Sequence, residues 1–98
     1  MSLKVYLRPE AEADIEDAAT WYDRQRKGLG QEFLDDVLVA LDTISENPNI
    51  YPVVYRQSRR AVVRRFPFGI FYRVDEGLVV VLAVMHGSRH PRRWKKRT

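Results

Sequence analysis

The stretch RRFPFGIFYRV, residues 64 to 74, sets Arg64 and Arg65 against an aromatic and β-branched run that holds a third arginine, Arg73. A strand that only packs a core has no use for charge at this density, so the side chains point to chemistry with an anion. In the overlapping RRAVVRRF, alternation puts Arg60, Val62, Arg64 and Phe66 on one side and Ala61, Val63 and Arg65 on the other. If the Val63 side is covered, Arg60 and Arg64 project to the same side, roughly 13 Å apart by strand rise. The tail GSRHPRRWKKRT, within residues 87–98, adds Arg89, Arg92, Arg93 and Trp94. Guanidinium groups around an open sheet face suit a phosphate or a carboxylate. Charges that merely block edge pairing would also sit on a solvated face, yet residues 51–74 hold six arginines and no acid.

His86 ends an apolar run three residues before Arg89, and an imidazole beside a guanidinium can act as acid or base near neutral pH. It is equally suited to a structural hydrogen bond at a strand end. His86 and His90 are four apart, but a strand end and a Gly-Ser loop do not place that spacing on one helical face, so no metal site is expected. Trp94 can stack on a base or anchor the tail to the rest of the fold. No nucleophilic triad, phosphate-cradling glycine loop or carboxylate pair stands out, and no cofactor is expected.

The whole chain of 98 residues reads as one domain. It has no cysteine, which removes disulfides, a thiolate nucleophile and thiolate metal ligation. No stretch approaches the ~20 apolar residues of a membrane span, and MSLKVYLRPEAEAD turns acidic too early for a signal peptide. A cytoplasmic protein without a membrane partner is expected. The net charge of +4 conceals an asymmetry: residues 1–50 carry five basic side chains against eleven acidic, and residues 51–98 carry twelve against two. A balance of +10 in the second half calls for an acidic or polyanionic partner, beyond the attraction between the two halves.

The elements that must position these groups follow from periodicity. LKVYLRP alternates as a short strand, and Pro9 opens a helix whose first turn is acidic. Ala11, Ile15, Ala18 and Tyr22 form its apolar stripe, with Trp21 beside it, and KGLG ends it. A second helix is expected from about Gln31 to Asn47, with Leu34, Val37, Leu38, Leu41 and Ile44 on one face. The short connection makes the pair an antiparallel hairpin. VVYRQSRRAVVRRF reads as one or two strands, and FGIFYRV and LVVVLAVMH as two more joined by DEG. The last is apolar throughout and should be central, covered on both faces. The order β-α-α-β-β-β gives an α+β fold, a helical hairpin packed on a small, mostly antiparallel sheet.

Taken together, LRPEAEADIEDAATWY and RRFPFGIFYRVDEGLVVVLAVMHGSRHPRRW resemble the ParE/RelE superfamily of bacterial type II toxins over nearly the whole chain. The resemblance implies the same fold and a toxin neutralised by a cognate antitoxin, an acidic, partly disordered protein that would contact operator DNA on the pair's behalf. It also implies the plasmid stabilisation and growth inhibition associated with such modules. RelE-like members cut messenger RNA on the ribosome; ParE-like members poison DNA gyrase and are not known as nucleases. The nuclease pattern has a basic residue directly before the apolar-apolar-Tyr of the middle strand, where this chain has Gly69. Arg60 and Arg89 match two other basic positions, Val62 fails to match a third, and no tail tyrosine is present. The ParE-like reading is therefore favoured; ribonuclease action by Arg60, His86 and Arg89, or a decayed toxin that only binds antitoxin, are the alternatives. The expected target-binding set is Arg60, Arg64, Arg73, His86, Arg89, Arg93 and Trp94. The expected antitoxin-binding set is Ile15, Trp21, Tyr22, Leu34 and Leu38.

Overall fold

A computed structural model describes residues 2–87 and 91–98. The elements run β1 (Lys4–Leu7), α1 (Pro9–Gln25), α2 (Leu29–Glu46), β2 (Val53–Tyr55), β3 (Ser58–Val62), β4 (Phe68–Asp75), β5 (Leu78–His86) and α3 (Pro91–Lys95). The five strands form one sheet in the order β1-β5-β4-β3-β2. β1 is parallel to β5, and the remaining pairs are antiparallel.

Pro9 starts α1 with Glu10 and Glu12 in the first turn, where the helix dipole favours negative charge. The turn into α2 passes through Gly28 at φ 88°, and Gly30 lets the helices approach closely. A Cβ on Gly30 would run into Ala19 O and lie 2.7 Å from Asp23 Oδ1. The bare Gly30 N–H instead donates to that same Asp23 Oδ1 at 2.7 Å, so α1 caps one of the orphan donors of α2.

The hairpin lies on one face of the sheet. Ala11, Ile15 and Ala18 of α1 and Phe33, Val37 and Ile44 of α2 pack on Ile70, Tyr72, Val79 and Val81. On the other face Phe71, Ala83 and Met85 form a second cluster beneath Trp94 of α3. β5 is thus covered on both sides, which is why Leu78 to Met85 could be apolar throughout. A bulge between Phe71 and Tyr72 skips Leu82, keeping Tyr72 and Val81 on the hairpin side.

Of the two arrangements open for VVYRQSRRAVV the chain takes one, and two other expectations are corrected. VVYRQSRRAVV makes two strands, because Arg56 at φ 52° turns the chain between β2 and β3. β3 stops at Val62, so the alternation assumed for Arg64 and Phe66 fails. Phe66 N–H donates to Val63 O at 3.3 Å, Arg65 sits at φ 68°, and Phe66 swings into the core against Tyr22 and Phe33. Arg64 is left exposed in a turn and shares no strand face with Arg60. On α2 the inward stripe is Phe33, Val37, Ala40, Leu41 and Ile44, while Leu38, about 100° round from Val37, is 59% exposed. The short helix α3 was not legible as an element. Among the described residues, no helix is long and apolar enough to cross a membrane.

Candidate target-binding face and adjoining groove

Arg60 lies opposite Phe71 on the face of β3 away from the hairpin. Its aliphatic stem covers Gly69: a Cβ there would stand 3.0 Å from both Arg60 Cγ and Cδ. Arg73 points to the same side but is half-buried, and its Nε donates to Asp75 Oδ2 at 2.6 Å. Trp94 stacks on Phe71, with ring centroids 4.2 Å apart and planes 15° from parallel. At 8% exposure it anchors α3 and leaves no open face for a base, correcting its place among target-contacting groups. Tyr55 packs edge-on to Trp94, with Arg56 and Lys95 over its ring at 5.1 and 4.8 Å.

The other candidates gather elsewhere. An open groove of about 820 Å³ runs between α1 and the ends of β4 and β5, lined by Asp17, Trp21, Tyr22, Phe68, His86 and Arg93 among others. Two residues expected to meet the target, His86 and Arg93, therefore share a groove with two expected to meet the antitoxin. Trp21 is 55% exposed at its rim. Tyr22 forms its wall, and burial raises the phenol above its usual range. His86 packs edge-on against Phe68, with centroids 5.5 Å apart.

At the groove's inner end, β5 extends past β1 and half its edge is unpaired by any strand. Asp14 and Arg97 cover it. Asp14 Oδ2 accepts from Val84 N–H at 3.0 Å and from Arg97 Nη1 at 2.6 Å, and Arg97 Nη1 also donates to Leu82 O at 3.1 Å. Arg8 Nη1 donates to Arg97 O at 2.8 Å, fastening the same segment to β1's end. None of these residues stood out in the sequence, because the partners are up to 89 positions apart.

Leu34 is half-buried against the main core, and Leu38 is exposed on the hairpin's solvent side. Ile15, 8% exposed, belongs to the main core and is no surface anchor, a correction that follows from its place over the sheet. Arg65 binds Asp36 through Nε at 2.9 Å and Nη2 at 3.1 Å, and this hydrogen bonding holds the Asp36 carboxyl below its ordinary range. Arg59 donates to Asn49 O at 3.2 Å and Tyr51 O at 2.5 Å, bracing the loop before β2. Arg89 lies outside the described residues. Among the described residues no group of three His, Asp or Glu side chains gathers as metal ligands would.

The charge asymmetry of the sequence becomes a layering in space. All eleven acids of residues 1–50 lie on α1 and α2, on one side of the sheet. Arg60, Arg73, Arg92 and Lys95 lie on the other, while Arg93 turns into the groove beside α1.

A family model described as the ParE toxin of the type II toxin–antitoxin system, parDE, matches residues 5–91. No curated protein sequence matches significantly. Among solved structures, the chromosomal ParDE system from P. aeruginosa superposes with a TM-score of 0.77 at 16% identity, covering 87% of this chain and 96% of that one. The RelBE2 toxin–antitoxin complex from Mycobacterium tuberculosis gives 0.65 at 22% identity, covering 88% and 99%. A copper-bound mutant toxin from Helicobacter pylori gives 0.56 at 14% identity, covering 88% and 96%. At these identities the structural likeness is one of fold.

Proposed function

Because the chain belongs to the ParE toxin family of type II toxin–antitoxin systems, we propose that it arrests growth by binding DNA gyrase, without cutting RNA. The observation that carries this reading is the filling of the sheet face around Gly69. Attack by a ribose 2′-OH requires donors fixed around the charge that builds on the phosphate. Here the strand position from which the nuclease pattern projects a basic group has no side chain, and the stem of Arg60 lies across it. Arg73, on the same face, is engaged by Asp75, and Trp94 closes over Phe71. Such a surface suits contact with a partner better than in-line phosphate chemistry.

A cognate antitoxin would hold the protein inactive in the cytoplasm. The exposed Trp21 and Leu38, with Tyr22 and Leu34 beside them, offer apolar positions for an amphipathic segment that folds on binding. The ribonuclease reading rests on Arg60, His86 and Arg89, of which His86 lines the groove and Arg60 lies on the sheet face away from the hairpin. Pulse labelling in the first minutes after induction without antitoxin separates the two. DNA synthesis failing first, with translation continuing, supports the gyrase reading; early collapse of protein synthesis overturns it.

A further inference from the structure

The layering of charge has a consequence that goes beyond the gyrase reading. Six basic residues occupy the side of the sheet opposite the helical hairpin. Arg60 and Arg73 reach it by strand alternation, and Arg56 and Lys95 by their contacts with Tyr55. Arg92 and Lys96 are both exposed, and Lys96 N–H donates to Arg92 O at 3.0 Å, so they stand one helical turn apart. Trp94, midway between them, faces the sheet; by the helical angle Arg92 and Lys96 face away from it. Of the acids around this side, Asp75 is already held by Arg73 and Asp14, at the β5 edge, by Arg97, while Glu76 sits in the β4–β5 turn.

We infer that this basic side is a docking surface for the phosphate backbone of duplex DNA. Charge complementarity favours a polyanion on this side and opposes one on the hairpin side, which carries eleven acids. An acidic peptide that folds on binding needs several apolar anchors, but Phe71, Ala83 and Met85 are already covered by Trp94, which leaves the exposed Val62 of β3 beside Arg60. A single strand needs open aromatic rings for its bases, but Arg56 and Lys95 lie over the Tyr55 ring, and Trp94 lies on Phe71. What remains is an array of cations carried by β3, β4, α3 and the turns beside them, which fits a duplex backbone read without sequence.

The test is fluorescence anisotropy of a labelled 20-base-pair duplex of arbitrary sequence with the full chain, over ~50–200 mM salt. The same-length single strand and an Asp/Glu-rich peptide of equal charge run in parallel. With three to four phosphates engaged, duplex affinity should fall roughly 40- to 150-fold across that range. The double variant Arg92→Gln/Lys96→Gln should lower the slope by about two and the affinity at low salt about tenfold. Arg24→Gln, on the hairpin side, should leave both unchanged. No duplex binding, an unaltered slope in the double variant, or a single strand or peptide bound as tightly as the duplex would each overturn the inference. Circular dichroism of each variant excludes unfolding as the cause of a loss.

Discussion

Arg97 donates to Asp14 across 2.6 Å, tying the end of the chain to the first helix over 83 positions. The pair closes the half of β5's edge that β1 leaves open. Both side chains are mostly shielded, at 20% and 17% exposure. Arg97→Ala removes a donor to Leu82 O and, among the described residues, leaves the Asp14 carboxylate with Val84 N–H alone. The expected loss is about 1.5 kcal/mol, read as a lower urea midpoint with unchanged m-value. Arg97→Lys should recover only part, because an ammonium lacks the planar fork that serves both oxygens.

Trp94 stacks over the second cluster, with Tyr55 packed beside it. Trp94→Ala uncovers Phe71, Ala83 and Met85 and should cost about 3 kcal/mol in denaturant unfolding. Trp94→Phe keeps a stacking ring and should cost less than half as much. Equal losses in both variants would mean that the stack on Phe71 contributes little.

Tyr72 sets a high-pH limit. Its hydroxyl donates to Pro48 O at 2.6 Å, and burial, partly opposed by Arg59, pushes the phenol up to about 12. The unfolded phenol ionises near ~10. The folded state therefore holds the proton more tightly, and this stabilisation is complete below about pH 10. It is lost as pH rises from about 10 to about 12, on the order of 2–3 kcal/mol in all. Tyr72→Phe should flatten most of that decline in unfolding free energy measured against pH. Tyr22, raised in the same direction, leaves a smaller residual slope.

Gly69 and Arg60 should behave as a coupled pair. A methyl at Gly69 must displace the Arg60 stem, which passes 3.0 Å from its place. In a double-mutant cycle of Gly69→Ala with Arg60→Ala, the coupling should be about 0.5–1 kcal/mol. Additivity within ~0.3 kcal/mol would show that the stem rests elsewhere.

Most of the fold was legible because local periodicity encodes it. The stripe Ala11, Ile15, Ala18 marked α1, and the unbroken apolar run of β5 required cover on both faces. The source of the second cover was not legible: α3 is five residues long and basic, and only Trp94 hints at its inward face. Phe66 was misplaced because Arg65 adopts a positive φ without being glycine, ending the alternation with no signal in composition. Of the site, the departure at Gly69 could be read directly, whereas the side chain lying over it could not. Asp14 and Arg97 escaped because a contact across 83 positions leaves no local pattern.

The central claim is that this toxin acts by occupying gyrase. Its most direct measurement is supercoiling of relaxed plasmid by purified gyrase titrated with the full chain, beside a ribosome-programmed messenger-cleavage assay. The expected result is loss of supercoiling with intact messengers. Unimpaired supercoiling with messengers cut on the ribosome would contradict it, and would return Arg60 and His86 to the role of catalytic candidates.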